Sequence, residues 1–383
     1  MLFLFLIPWL LHFFESPPSQ FQEQVIDSDI SIGYGIALGD VDGDGKPDIL
    51  LADKKQFVWY RNGDWKRFVM IENLTEYDNV CIAARDINGD GKVEVAVGAQ
   101  WNPSETGNAK QSGSVHYLIR PENPAELWKA VELHHEPTVH RMQWVKAANN
   151  KYYLVVLPLH GQGNKGGEGV GVNILAYQFP GNVSGKWTTL VLDNSMHLTH
   201  NFYFKEHGDG KNNGLYVAGK EGVRFIGNDF SGKAQKIPGL ELASGEVKMG
   251  AISKDKNFIA TVEPMHGTAV VAYLMEPNGV KRVVLDNDVK EGHALGVADF
   301  LGVGSDQVVA GWRVPDNEGK VGVKLYVKKD AEGTQWESYW VDENGMACEN
   351  LQVLDMNGDG KPDIVASGRA TKNVKIYWNT SGR

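Results

Sequence analysis

Short apolar runs alternate with polar, glycine-containing turns along most of the chain. The first complete set of runs is Tyr34–Leu38, Ile49–Ala52, Phe57–Tyr60 and Trp65–Ile71. Runs this short, bounded by turn residues, are typical of β-strands, and no segment shows the apolar spacing of a three-turn amphipathic helix. The pattern therefore predicts an all-β protein.

The same strand pattern recurs along the sequence. First strands of the repeats are predicted to begin near residues 34, 80, 140, 200, 247, 293 and 349. Each interval holds about four strand-like runs, which describes one blade of a propeller. The last repeat offers only three, and Phe21–Ser28 resembles the outer strand of the first repeat. We predict one domain over residues 21–383, a seven-bladed β-propeller whose ring is closed by the N-terminal strand.

Three of the turns between first and second strands share an acidic, glycine-containing motif. Alternating carboxylate and amide oxygens around a sharp bend suit calcium. We therefore predict three structural Ca²⁺ sites. The predicted ligands are Asp40, Asp42, Asp44, the carbonyl of Lys46 and Asp48 in loop one; Asp86, Asn88, Asp90 and Glu94 in loop two; and Asp355, Asn357, Asp359 and Asp363 in loop three. The corresponding loop Asp299–Asp306 lacks the middle acids and is predicted to be empty.

These loops resemble the FG-GAP (VCBS-type) repeats of integrin α-chain propellers and of many exported bacterial proteins. The resemblance implies that the ions are structural. Because the loops all join a first strand to a second strand, they are predicted to lie on one face of the ring.

The net charge and the N-terminal segment indicate which partners and which cellular location to expect. The formal net charge of -10 argues against a nucleic-acid partner. Met1–Phe14 is almost wholly apolar and too short to span a membrane, so residues 1–20 are predicted to be an export signal. A secreted or periplasmic protein without stable membrane insertion is expected, and a membrane anchor is the alternative. Cys81 and Cys348 are expected to be buried thiols.

Histidines gather on the face opposite the calcium loops. Histidine transfers protons near neutral pH, and crowded imidazoles lower one another's pKa. The predicted catalytic residues are His140, His135, His200, His293, Tyr34 and Arg141. The predicted substrate-binding residues are His160, Trp101, His266, Trp312, Arg313 and Glu349. A divalent transition metal held by three histidines is chemically reasonable, and a histidine-lined, water-filled channel is the alternative.

Four segments resemble one enzyme family. They read DNVCIAARDINGDGKVEVAVGAQWNP, SGSVHYLIRP, HHEPTVHRMQWV and LVVLPLHGQGN, within Asp78–Asn164. They are similar to the propeller domain of fungal aldos-2-ulose dehydratase, which acts on 1,5-anhydrofructose and related keto-sugars. The resemblance implies β-elimination of water from a small sugar or oligosaccharide, with His140 or His135 as the base. We prefer His140, which heads an inner strand. The family's cupin-type region has no counterpart here, so its isomerase activity is not expected.

Two other functions fit the same pattern. A polysaccharide lyase acting on uronates, as ulvan-type lyases do, would use the same His, Tyr and Arg residues. A non-catalytic propeller that binds a glycan or a protein is the alternative of a different class, and it would not need the histidines.

Overall fold

The computed structural model describes residues 20–183, 185–206 and 212–382. The predicted export signal lies outside these residues, apart from Gln20. Seven four-stranded antiparallel sheets contain all the named strands, and the described residues form no helix. Consequently, no described segment is a helix long and apolar enough to cross a membrane.

Each sheet is one blade, and its strands follow chain order from the innermost outwards. Blade one contains β2 (Gly35–Gly39), β3 (Asp48–Ala52), β4 (Gln56–Tyr60) and β5 (Arg67–Glu72). Blade two contains β6 (Cys81–Arg85), β7 (Glu94–Ala99), β8 (Ser114–Ile119) and β9 (Lys129–Leu133). Blade three contains β10 (Val139–Lys146), β11 (Tyr152–Pro158), β12 (Ile174–Gln178) and β13 (Thr188–Asp193).

The remaining blades repeat this order. Blade four contains β14 (Thr199–Lys205), β15 (Gly214–Gly219), β16 (Gly222–Gly227) and β17 (Gln235–Lys236). Blade five contains β18 (Glu246–Ser253), β19 (Lys256–Glu263), β20 (Ala269–Glu276) and β21 (Gly279–Asp286). Blade six contains β22 (Gly292–Ala298), β23 (Gln307–Trp312), β24 (Gly322–Lys328) and β25 (Trp336–Glu343).

The seventh sheet joins the two ends of the described chain. It contains β26 (Cys348–Leu354), β27 (Asp363–Gly368), β28 (Asn373–Asn379) and, as its outer strand, β1 (Phe21–Asp27). β1 pairs antiparallel with β28 from Phe21↔Asn379 to Asp27↔Val374. The predicted starts of the inner strands agree with the observed starts to within one residue.

The core lies between neighbouring blades. The second strand of each blade is almost wholly buried and the third strand is at least half buried, and their side chains pack against the next sheet. One such cluster joins Tyr117 of blade two to Trp144 of blade three. Cys81 and Cys348 are free, buried thiols, and burial raises the pKa of the Cys81 thiol to about 12. The inner strands, packed around the axis, surround a central cavity of about 380 Å³.

Candidate functional site at the channel mouth

Local irregularities in four inner strands place polar side chains at one mouth of the channel. β10, β14, β22 and β26 each contain one extra residue near their start, where the register with the second strand shifts. The extra residues are His140, His200, His293 and Glu349. A β-bulge leaves its extra residue unpaired and redirects that side chain. In blades one and two, β2 and β6 pair with their second strands without such a shift.

The three bulged histidines are held in the same way by the next blade. Nδ1 of His140 lies 2.9 Å from the carbonyl oxygen of His200, and Nδ1 of His200 lies 2.9 Å from that of Gly245. Nδ1 of His293 lies 2.6 Å from the carbonyl oxygen of Glu349. Because a carbonyl oxygen only accepts hydrogen bonds, each Nδ1 carries the hydrogen. In the neutral rings, Nε2 is therefore the nitrogen with the available lone pair.

A fourth histidine completes the cluster. His266 lies in the turn between β19 and β20, and its Nε2 is 2.7 Å from Nε2 of His200. One ring nitrogen each of His200, His266 and His293 lies within 4.8 Å of the other two. His266 adopts a left-handed backbone conformation, with φ at 50°, which is costly for a non-glycine residue and is found at functional sites. Three converging imidazole nitrogens are a donor set that suits a divalent transition metal.

Three of the histidines at the mouth, His140, His266 and His293, are neutral at physiological pH because their pKa values are lowered. Burial, followed by the charge of Arg141, holds the pKa of His140 well below its ordinary value. Burial and the neighbouring His200 do the same for His293. Burial, followed by His200, lowers the pKa of His266 to about 3. Neutral imidazoles keep a lone pair that can accept a proton or bind a metal.

Aromatic side chains form part of the wall of the mouth. The ring of Trp101 stacks on that of His140, with centroids 5.1 Å apart and planes inclined by 21°. The hydroxyl of Tyr34 lies 3.3 Å from Oδ2 of Asp78. Burial and the Asp78 charge raise the pKa of Tyr34 to about 12. Tyr34 is consequently protonated at neutral pH and can act as a proton donor.

Glu349 is enclosed by two arginines. Its carboxylate oxygens lie 3.3 Å from Nη1 of Arg313 and 3.3 Å from Nη1 of Arg369. Nη2 of Arg313 also pairs with Glu291 at 2.8 Å. This network fixes the blade-six and blade-seven side of the mouth and neutralises the buried carboxylate.

Three predicted site residues lie outside the cluster. His135 contacts Glu132 and the carbonyl of Glu136. The backbone amide of His160 donates to Thr138 Oγ1, while its ring Nδ1 is buried without a partner among the described residues. The prediction that Trp312 binds the substrate does not fit the fold, because that side chain is 0 % exposed in the core of blade six.

Sequence reasoning passed over Arg369 and Lys248, and it placed Glu246 near the mouth without including it among the predicted site residues. Arg369 lies in the turn between β27 and β28, the same turn of its blade that supplies His266 in blade five. Glu246 begins β18, with Oε1 3.2 Å from Nδ1 of His200. Aligning the second-to-third turns of all seven repeats would have identified Arg369. Lys248 lies two residues beyond Glu246, on the same side of β18, and this strand has no bulge at its start.

The acidic loops lie at the other ends of the inner strands. In loop one, carboxylate oxygens of Asp40, Asp42 and Asp48 lie within 4.8 Å of one another. Asp40 accepts hydrogen bonds from the amides of Gly43 and Gly45, whose φ angles of 86° and 83° favour glycine. Asp86 and Asp355 accept equivalent bonds from the glycines of loops two and three.

The last acid of each loop is the most buried one. Asp48, Glu94 and Asp363 each begin a second strand and are at most 6 % exposed. Burial raises the pKa of Asp48 to about 7. Three clustered carboxylates, one of them buried, fit the donor set that Ca²⁺ requires.

The blade-six loop shows what replaces the last acid. Gln307, not Asp306, begins β23 and stands eight residues after Asp299, as Asp48 does after Asp40. Its Oε1 accepts from the amide of Leu301 at 3.0 Å, and its Nε2 donates to the carbonyl of Ser305 at 2.6 Å. A neutral amide thus occupies the place of the last acid in this loop. Asp306 instead accepts from the amide of Ala251 in blade five.

Comparisons with known proteins agree with this architecture. Residues 40–97 match the FG-GAP-like repeat and residues 82–118 match the FG-GAP repeat. Residues 112–276 match the β-propeller domain of aldos-2-ulose dehydratase. No curated protein matches the chain.

Two solved structures share the fold at low identity. A chain of the mitotic checkpoint complex has a TM-score of 0.58 and 11 % identity, over 98 % of this chain and 97 % of that one. The extracellular domain of a one-component system from B. thetaiotaomicron has a TM-score of 0.54 and 13 % identity, over 93 % of this chain and 39 % of that one. The chain is thus a seven-bladed propeller with FG-GAP repeats, and the segment that supplies His140, His200 and His266 is similar to the propeller domain of aldos-2-ulose dehydratase.

Proposed function

We propose that this protein is a carbon–oxygen lyase that eliminates water from a keto-sugar at the histidine-lined mouth. The observation that carries the proposal is the shared orientation of His140, His200 and His293, each of which presents Nε2 as an acceptor. The match of residues 112–276 to a dehydratase propeller supports the same class of reaction.

The base and the acid that the elimination requires each have a candidate residue. His140 Nε2 takes the proton from the carbon next to the ketone, and the electrons of that C–H bond form the new C=C bond. The β-carbon–oxygen bond then breaks, and Tyr34 gives its proton to the departing hydroxyl, which leaves as water. Proton return from the His140 imidazolium to the tyrosinate completes the cycle.

The remaining mouth residues orient the sugar and stabilise charge. Trp101 fixes the plane of the His140 ring, and Glu349, held by two arginines, can accept a hydrogen bond from a sugar hydroxyl. His200, His266 and His293 would hold a divalent metal. Such an ion, when bound, would supply a positive charge for the enolate oxygen.

The test is the appearance of an ultraviolet-absorbing enone when the purified protein is given 1,5-anhydrofructose. His140→Ala should abolish turnover, His135→Ala should leave it nearly unchanged, and His197→Ala serves as the matched control on the same face. Circular dichroism and thermal unfolding would verify that all three variants fold. Full turnover in His140→Ala would remove His140 from the mechanism, and loss in His135→Ala alone would make that residue the base.

We further propose that loops one to three bind structural Ca²⁺, because each brings buried and exposed oxygen ligands together at an equivalent place.

We also propose that the protein is exported, on the strength of the apolar N-terminal segment. Mass determination of the protein secreted by an expression host would test export, and a mass that includes residues 1–20 would contradict signal cleavage.

A further inference from the structure

The central cavity begins directly below the histidine cluster. It is about 380 Å³ in volume and is lined by the inner strands of all seven blades. Three of these blades, one, two and six, contribute no charged side chain to the lining, and half or more of their lining residues are small. The small residues include Gly35, Ala37, Cys81, Ala83, Ala294 and Gly296. The space is therefore asymmetric, with the larger polar side chains on blades three, four, five and seven.

The charged residues that line this cavity leave one positive charge in excess. They are Arg141, Lys248 and Glu246, which amounts to two cations and one carboxylate. Oε2 of Glu246 accepts from Asn201 Nδ2 at 2.7 Å, while its Oε1, 3.2 Å from His200 Nδ1, has no hydrogen-bond partner among the described residues.

Arg141 is a buried cation without a counter-ion. Arg141 is 8 % exposed, and no described carboxylate lies within ion-pair distance of its guanidinium group. Nη1 donates to the carbonyl of His140 at 3.0 Å. Nε and Nη2 are buried and have no partner among the described residues. Unpaired buried guanidinium groups are costly, so a partner supplied by a ligand is the economical explanation.

Lys248 is the second cation of the cavity. Its Nζ lies 5.4 Å from the centre of the Tyr203 ring, and no described carboxylate forms an ion pair with it. Burial lowers its pKa, and the Glu246 charge acts in the opposite direction. Lys248 and Arg141 line the same cavity, and an anion bound there would stabilise the charged form of both.

The two arginines at the rim of the mouth, unlike Arg141, have carboxylate partners. Arg313 and Arg369 both pair with Glu349, and Arg313 also pairs with Glu291. Their charges are therefore balanced within the protein, whereas that of Arg141 is not.

We propose that the cavity below the histidines is an anion site in which Arg141 and Lys248 bind the carboxylate of an acidic sugar. A guanidinium group matches the planar geometry of a carboxylate. A monoanion neutralises the single excess charge, while a phosphate dianion would replace it with a negative one. The inference deepens the proposed function by naming the charge class of its substrate: a sugar that carries a carboxylate as well as the ketone.

The test is calorimetric titration of the intact protein with glucuronate, using glucose as the neutral probe and inorganic phosphate as the competing anion. Glucuronate should bind once per chain, more tightly than phosphate, and glucose should give no signal at the same concentration. Arg141→Met and Lys248→Met should each weaken glucuronate binding by at least about tenfold. Lys256→Met, a surface cation paired with Glu332, is the matched control and should bind normally.

Equal binding of glucose and glucuronate, or glucuronate binding unchanged in both variants, would overturn the anion site. Thermal unfolding identifies a variant that fails to fold. If Arg141→Met is unstable, the binding measured with Lys248→Met decides whether the anion site exists. The measurement is independent of turnover. Glucuronate binding without any elimination activity would therefore refute the lyase proposal and support the anion site. Elimination from a neutral keto-sugar without glucuronate binding would refute the anion site and support the lyase proposal.

Discussion

The chemistry of the mouth depends on how individual side chains are held. His140, His200 and His293 are each at most 5 % exposed, and each gives its Nδ1 hydrogen to a carbonyl of the next blade. Burial lowers the pKa of His140 and of His293 and so keeps these two rings neutral, and the carbonyl decides which nitrogen faces the channel. Both effects are needed, because a neutral ring in the other tautomer would present an N–H group in place of a lone pair.

This arrangement predicts selective binding of a transition metal. Co²⁺ should bind the protein with the absorption spectrum of a low-coordinate nitrogen site, and Zn²⁺ should displace it. His200→Gln and His266→Gln should each weaken binding by at least about tenfold. His160→Gln is the control, since that ring lies outside the cluster. Unchanged Co²⁺ affinity in both variants would show that the histidines hold no metal.

A histidine away from the mouth predicts part of the pH dependence of stability. His116 on β8 is 7 % exposed, and burial lowers its pKa to about 4. Between about pH 6.5 and pH 4 the unfolded chain binds the proton more strongly, so stability present above pH 6.5 is lost as the pH falls. From pH 7.5 to pH 5 the loss should be about 2 kcal/mol.

The measurement is urea unfolding of the wild type and of His116→Gln at the two pH values. Other buried histidines contribute to the wild-type slope, and the difference between the two proteins isolates His116. An identical loss of stability in both proteins would contradict the prediction.

Among the structural elements, the loop from first to second strand is the most uniform. Its last side chain begins the second strand and ties neighbouring elements together. Asp48 accepts from the amides of Val41 and Asn62, and the side chain of Asn62 donates to the carbonyl of Met356 in blade seven. The loop that we propose to bind calcium thereby also links two blades.

Removing calcium should therefore destabilise the ring. A chelator is expected to lower the unfolding temperature, since a ligand at 100 times its Kd contributes about 2.7 kcal/mol per site. Asp355→Asn should reduce this response, while Asp299→Asn in blade six should leave it unchanged because Gln307 takes the place of the last acid there. A melting temperature indifferent to the chelator would show that the loops are stable without ions.

The strands and loops could be predicted because they repeat. Equivalent positions in seven blades identified His140, His200 and His293 together, although a single histidine would have carried little information. The register of the bulges could not be predicted, since an extra residue leaves no mark in a short apolar run. Trp312 was misplaced for a related reason: its position next to a glycine-rich turn did not reveal that its ring turns into the core.

In the whole molecule, the first and last described strands share one sheet. Several contacts join them, including Trp378 Nε1 to Gln24 Oε1 at 2.8 Å and Lys375 Nζ to Glu23 Oε2 at 3.0 Å. Asp27 continues the connection into blade one by accepting from the Tyr60 hydroxyl at 2.7 Å.

Loss of β1 should be severe. A chain that begins at Asp29 would expose the whole edge of β28, and we expect a large fall in the unfolding temperature together with aggregation. A chain that begins at Gln20 keeps β1 and is the control, which should melt like the full chain. Differential scanning fluorimetry with light scattering would measure both, and equal melting of the two truncated chains would contradict the role of β1.

The hydrogen bonds from each mouth histidine to the next blade make the site a property of the assembled ring. Blade three sets the ring of His140 only if blade four is in place, and blade six needs blade seven. If the chain were split between blades four and five, neither fragment would contain the whole cluster, because His200 would be separated from Gly245. Recovery of the proposed lyase activity on mixing would then report that the contact between blades four and five had formed again.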